Sequence, residues 1–192
     1  MLTSKRWRLL GAAAVAAAAL WGLAHLKAQD SSKQIARGKY LAESVAACGH
    51  CHTPRERAEP DMTRHLSGHP ASAPAPKSAA VDLIINEGVF ISISPTMTAF
   101  SGPWGVSFAT NLTPDKETGL GAWTEEQFIR AMRSGKHKGD PEGRAILPPM
   151  PWKHYQSMSQ QDMKDMWAYF QSLKPIRNAV PKARNQLGNP LD

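Results

Sequence analysis

Apolar residues recur with a helical period in three parts of this chain. Gly38, Leu41, Ala42 and Val45 stand at i, i+3, i+4 and i+7, so a helix capped by Ser32 is expected to run to about Ala46. Thr124 opens a second helix. Gln127 completes a capping box, Phe128 and Met132 share a face, and Gly135 ends it. A third helix is expected from a cap at Ser159 through Gln160 to Leu173, stopped by Pro175. Met163, Met166, Trp167 and Phe170 are its core stripe. Gly38 leaves room for a close helix crossing, which Tyr40, Trp167, Tyr169 or Phe170 would fill. The expected fold is mainly α and single-domain.

Two stretches break this pattern. From Ala71 to Ala79 the chain is rich in Ala, Pro and Ser, the composition of an exposed loop. Val81–Ile85 and Val89–Ile93 are β-prone runs around Asn86-Glu87-Gly88 and are expected to pair as a hairpin. At the N-terminus, Lys5, Arg6 and Arg8 precede an apolar run from Leu9 to Leu26. This is the pattern of an export signal, cleaved after Ala24 or Ala28, or of a retained anchor roughly 27 Å long as a helix. Residues 1–28 are thus expected to be the signal peptide or membrane anchor, and 29–192 the exported domain, periplasmic or on the periplasmic side of the inner membrane.

Charge adds little. Lys5, Arg6, Arg8 and Lys27 are four of the positive charges behind the net +7, so the part from Gln29 onward carries only +3. That field is too weak to argue nucleic-acid binding. Two cysteines in 192 residues exclude a disulfide-rich scaffold and a four-cysteine zinc site.

Both cysteines lie in Cys48-Gly49-His50-Cys51-His52, a C-x-x-C-H haem attachment pattern. Two thiols at this spacing can add to the two vinyl groups of one porphyrin, and the next histidine can then reach the iron. A Cys48–Cys51 disulfide would leave His52 unexplained. A thioredoxin-type site needs strand–helix context that the sequence lacks, and zinc needs further ligands.

The iron's other axial position is usually filled by Met or His. The candidates are Met62, Met97, Met132, Met150, Met158, Met163, Met166, His65, His69, His137 and His154. Met132, Met163 and Met166 read as helix core. Met150 lies in Leu147-Pro148-Pro149-Met150-Pro151-Trp152, which reads as a stiff extended loop shortly before the last helix. His154 is its best rival and would give bis-His ligation. Lys136, His137 and Lys138 read as a solvated patch, and Asp115 and Glu117 as a solvated turn rather than a metal loop. Asn111-Leu112-Thr113 matches a glycosylation sequon and carries little weight.

Further stretches carry a family resemblance: Arg37 to Leu41, Cys48 to Pro54, Gly102 to Gly105, Asn111 to Asp115, Thr118 to Gly121 with Trp123-Thr124, Pro148 to Trp152, Ala168 to Phe170 and Asn178 to Pro181. Over Gly38 to Pro181 the chain resembles monohaem class I cytochromes c. It looks like single-domain relatives of the cytochrome c subunits of membrane-bound alcohol, aldehyde and sugar-acid dehydrogenases. The resemblance implies a helical fold around one covalent haem c, with a long loop and hairpin insertion between the haem motif and the distal ligand loop. It also implies that Cys48 and Cys51 bind the haem, that His52 is its proximal and Met150 its distal ligand, and that the segment around Trp104 and Asn111 wraps one side of the pocket.

The function expected is single-electron transfer, not catalysis, between periplasmic or membrane redox partners: a dehydrogenase, an oxidase or another cytochrome. One alternative is a fixed electron-accepting subunit of a dehydrogenase or respiratory complex. Another is a haem sensor or enzyme with an open sixth position. A single C-x-x-C-H motif excludes a dihaem peroxidase within one chain.

Overall fold

A computed structural model describes Trp21, His25 and residues 28–77 and 91–191. Most of residues 1–28, expected to be a signal peptide or anchor, and of the hairpin expected around Asn86 lies outside the described residues. Among the described residues no helix is long and apolar enough to cross a membrane.

The first helix, α1, includes the described residues 28–40. Ser32 is therefore inside it and is not the expected cap: its hydroxyl donates to the Gln29 carbonyl at 2.8 Å, a local bond that a helix accommodates. α1 passes into a π-helical turn, Leu41–Val45. There the Ala46 N–H donates to the Leu41 carbonyl five residues back. The wider turn shifts the stripe. Val45 swings out to 57% exposure and Ala46 takes its place at 9%, while Leu41 and Ala42 stay buried as expected.

A one-turn helix, α2 (Gly49–His52), follows. The two longer helices match their sequence signals. α3 (Glu125–Ser134) has the reciprocal Thr124–Gln127 capping box and ends at Gly135, whose φ of 66° suits glycine. A short α4 (Trp152–Tyr155) precedes α5 (Gln160–Ser172), where the Ser159 hydroxyl accepts from the Asp162 N–H. Met163, Met166 and Phe170 of α5 are buried with Leu41, Ala42, Phe128 and Met132 in one core.

α1 and α5 cross at Gly38. A Cβ there would stand 1.8 Å from the Asp165 carbonyl oxygen and 2.9 Å from Tyr169 Cβ. Tyr169 fills the crossing, whereas Tyr40 is exposed. The obstacle is backbone, which no rotamer change relieves. Gly38→Ala is therefore expected to force the helices apart and cost about 3 kcal/mol, read as a lower guanidinium midpoint of the holoprotein.

Strands are few. β1 (Arg55–Glu56) pairs antiparallel with β2 (Glu59–Pro60). β3 (Ser92–Ile93), β4 (Ala99–Gly102) and β5 (Gly105–Phe108) form an antiparallel sheet in that order, with Phe100 opposite Ser107 and Ser101 opposite Val106. The β4–β5 hairpin turns at Pro103-Trp104, with Gly105 at φ 97°. Sequence patterning did not anticipate it, because a proline and two glycines interrupt runs of only four residues. Residues 71–77 form a turn and irregular chain, in keeping with a loop.

Two buried amides lash the C-terminal segment to the rest. Asn178 Nδ2 donates to the Ser67 and His69 carbonyls, and Asn111 Nδ2 donates to the Ile176 carbonyl. Asn111 is 3% exposed, so its sequon is no glycosylation acceptor. Asp115 accepts from Glu117 and Thr118 in a local turn, and the described residues contain no cluster of His, Cys, Asp and Glu fit for a metal ion.

Candidate functional site

The π turn delivers the chain to the C-x-x-C-H motif. The Cys48 N–H donates to the Ala42 carbonyl at 2.9 Å, and α2 then carries Cys51 and His52. Neither cysteine is in a disulfide. Burial pushes the Cys48 thiol up to about 12, with the nearby Glu43 charge adding to it, and burial raises Cys51 as well. In the chain before any group is attached, thiols so placed are protonated at neutral pH, the reverse of the stabilised thiolate in a disulfide-exchange motif.

His52 is 7% exposed. Its Nδ1 lies 2.8 Å from the Thr110 carbonyl oxygen, which can only accept, so Nδ1 carries the proton. Burial lowers the ring's pKa against the pull of that carbonyl and keeps it neutral. Nε2 is left with a free lone pair, the tautomer a metal-ligating imidazole needs.

Cys51 and His52 line a cleft of about 930 Å³, counting its open mouth. An adjoining lobe of about 670 Å³ reaches Cys48 and Tyr155. The hairpin contributes Phe100 and Phe108, the following chain Leu112, and α3 Phe128 and Met132. Pro149, Met150 and Pro151 line both lobes. The loop bearing Met150 is a turn rather than the extended run its prolines implied: the Met150 N–H donates to the Leu147 carbonyl at 3.3 Å. Ser107 Oγ donates to the Pro148 carbonyl, and Tyr155 donates to the Ala46 carbonyl, so the loop is tied to the hairpin and to the end of the π turn.

The structure thus brings Cys48, Cys51, His52 and Met150 around one cleft. The rivals fare differently. His154 is exposed on α4 and does not line it. Met62 and Met97 are exposed, and His69 is buried against Thr98 and Phe108. Met132, read as core, is also a cleft wall. Trp104 and Asn111 are not lining residues, but Ser107 to Thr110 and Leu112 between and around them are.

Below the motif, Glu43 accepts from His65 Nε2 at 2.7 Å and from the Tyr169 hydroxyl at 2.6 Å. Burial alone would raise the Glu43 pKa, but these bonds win and hold it below the ordinary 4.5. A carboxyl more acidic folded than unfolded stabilises fully above its unfolded value and loses that contribution as pH falls through the folded one. The stability gap between the native protein and Glu43→Gln is therefore expected to be widest near neutrality. It should close as guanidinium unfolding is repeated at steps below pH 4.5.

His137 and Arg144 also line the cleft; the sequence offers His137 as a candidate ligand but reads it as solvated, and it does not point to Arg144. Lys138 is solvated as expected, but the His137 ring meets Trp123 edge-on at 5.7 Å. Burial, with the Arg144 and Lys138 charges, takes its pKa down to about 4. The backbone sets the pair side by side: the His137 N–H donates to the Arg144 carbonyl at 2.9 Å, and Lys136 bridges Ala145. The available signal was a lone cation at the head of the apolar run Ala145-Ile146-Leu147.

The family model for cytochrome c matches residues 35–174. Over 179 residues, 91% of the chain, it is 30% identical to the cytochrome c subunit of the quinone alcohol dehydrogenase of Gluconobacter oxydans, covering 29% of that protein. It is 38% identical over 78 residues to the cytochrome c subunit of gluconate 2-dehydrogenase from Pantoea cypripedii, 40% of this chain and 17% of that one. The cytochrome subunit of fructose dehydrogenase from Gluconobacter japonicus is 36% identical over 87 residues, 45% of this chain and 17% of that one. The chain spans less than a third of the length of these relatives.

Proposed function

Because this chain belongs to the cytochrome c family and holds haem c covalently, we propose that Cys48 and Cys51 form its thioether bonds, that His52 and Met150 are its axial ligands, and that the protein passes single electrons between exported redox partners. One attachment motif gives one haem. The observation that carries the ligand reading is His52 itself: buried, neutral, held at Nδ1 by Thr110, with Nε2 free in the apolar cleft that Cys51 and Met150 also line.

The donor set and the cleft fit the group. Phe100, Phe108, Leu112, Phe128 and Met132 are the apolar faces a porphyrin needs, and among the described residues no carboxylate lines either lobe. Haem held there supplies one-electron ferrous–ferric chemistry. Thr110 orients His52, the Ser107–Pro148 bond steadies the loop carrying the Met150 thioether, and the aromatic walls exclude water. Two protein ligands leave no open position for substrate, which favours a carrier over an enzyme.

Acid-acetone extraction is expected to leave the haem on the protein, and potentiometric titration to follow a one-electron curve. Haem recovered in the extract would sink the thioether assignment.

The relatives' names supply the partner class: a dehydrogenase oxidising a small organic substrate donates the electron. The basic and apolar N-terminal run supports a place on the outer face of the inner membrane. Whether the cytochrome is mobile or a fixed subunit is read from detergent-solubilised membranes. Elution apart from dehydrogenase activity supports a carrier, and co-elution supports a subunit.

A further inference from the structure

Glu43, His65 and Tyr169 come together from the π turn, the end of the 3₁₀ turn Met62–Arg64, and α5. None of the three lines either lobe of the cleft. They pack on the attachment motif instead. A Cβ at Gly49, between the two cysteines, would stand 3.3 Å from Glu43 Oε2 and 3.8 Å from His65 Cε1. The Glu43 and His65 side chains are 24% and 21% exposed, so water reaches a pair that also stands against the chain carrying the haem.

His65 can hold its ring in two protonation states without moving it. Its Nε2–H donates to Glu43 in both. The Thr53 hydroxyl stands 3.2 Å from Nδ1. That oxygen accepts from the Leu66 N–H at 3.0 Å, which leaves it one lone pair and one proton. It therefore donates to a bare Nδ1 and accepts from a protonated one, and Glu43 is the counter-ion of the cation. The Thr110 carbonyl, which only accepts, allows His52 no such choice.

We propose that Glu43, His65 and Tyr169 form a redox-linked proton site: His65 binds its proton more tightly when the haem is ferrous, so that a proton follows the electron in and leaves with it. The proposal goes beyond electron carriage and rests on the haem reading above. One electron passes from the redox partner to ferric iron, and up to one proton passes from water to His65 Nδ1. Both leave on reoxidation, and no bond to the iron or the porphyrin is made or broken.

Other charges surround the cluster. Lys39 of α1 also favours the Glu43 carboxylate. Arg64 is turned to Asn178 Oδ1 at 3.3 Å, and Asp61 is bonded to Thr63 within its own turn. Arg55 donates to the Ala58 carbonyl, and buried Asp165 of α5 accepts from Gln161 Nε2 at 2.7 Å. His50 is exposed on α2. Cys48 carries no charge as a thioether. None of these bonds to the His65 ring.

The sign follows from Coulomb's law. Ferric haem carries one more positive charge than ferrous haem and repels the imidazolium. The ferrous protein should bind the proton about threefold more tightly or better. The potential then falls as pH rises through the range in which the site loses its proton.

The test follows the potential of the holoprotein against pH in the native protein, His65→Gln, Glu43→Gln and Tyr169→Phe. The native potential should fall from an acid plateau to a lower alkaline one. His65→Gln leaves the Glu43 charge unbalanced and should hold the alkaline value throughout the range. Glu43→Gln removes that charge and should raise the potential on the alkaline side. Tyr169→Phe removes a donor to the carboxylate, so the pair keeps its proton longer and the fall moves to higher pH. The haem's own carboxylates are common to all four proteins and cancel in the differences. A native potential that is flat with pH, or a fall unchanged in His65→Gln, overturns the proposal. So do shifts of the same sign in His65→Gln and Glu43→Gln, or lower melting temperatures with unchanged potentials, which would make the cluster structural only. If the variants fail to mature, infrared redox difference spectra of the native holoprotein with ring-labelled histidine decide. An imidazolium band lost on oxidation supports the site, and its absence overturns it. Absence of covalent haem from the native protein would be a failure of the haem reading instead.

Discussion

Met150→Ala is expected to abolish the near-infrared thioether-to-iron band of the ferric protein and to let the ferrous protein bind carbon monoxide. Met150 lines both lobes of the cleft, on a turn closed at Leu147 and anchored through Pro148 to Ser107. A thioether is a weak ligand, so its loop must hold it in place, and prolines on both sides reduce the freedom lost in doing so. Thioether ligation favours ferrous iron over ferric. The potential should therefore fall by a substantial part of the ~0.8 V that axial ligands span. The structure names the competitor that must be excluded. Met132 lines both lobes from α3, and Met132→Leu keeps its volume while removing the sulfur. A band that survives Met150→Ala and disappears in Met132→Leu would move the ligand to α3. Carbon monoxide binding by the unaltered protein would instead favour a sensor or enzyme with an open sixth position.

The parts of this molecule legible in the sequence are those set by local chemistry. The Thr124–Gln127 box, the αL glycine at 135 and the Ser159 cap need only neighbouring residues, and each helix end lies where the sequence puts it. Cys48, Cys51 and His52 are legible for the same reason, since the haem motif is contiguous. What stayed hidden depends on tertiary context. The π turn adds a residue that a 3.6-residue stripe cannot foresee, and so Val45 was placed inside. The β4–β5 hairpin owes its place to Ser107 reaching Pro148 across 41 residues. Thr110 as the partner of His52 comes from 58 residues away, and nothing near the motif announces it. His137 reads as solvated between two lysines until its ring is seen against Trp123.

Replacing Cys48 and Cys51 together by Ala is expected to yield a chain with much less helix and no sharp thermal transition. The reason lies in where the core sits. Phe128, Met132, Met166 and Phe170 are buried core residues and also line the cleft, so α3 and α5 present one apolar surface to each other and to the cofactor. Without haem, that apolar surface is open to water along both lobes of the cleft. Even a single large-to-small core substitution costs about 2–5 kcal/mol. That is a large share of the ~5–15 kcal/mol that stabilises an ordinary domain. α2 is a single turn and cannot hold its shape alone, which exposes the His52–Thr110 bond as well. The single variants should fall between. Each keeps one thioether and the iron ligands, so haem remains bound at lower yield, with a haemochrome band shifted toward that of a haem with one free vinyl group. Far-ultraviolet circular dichroism and melting of the full chain, expressed with haem-attachment machinery, check the series. Equal helicity and melting in the double variant and the holoprotein would show that the helices make their own core, with the haem only a guest.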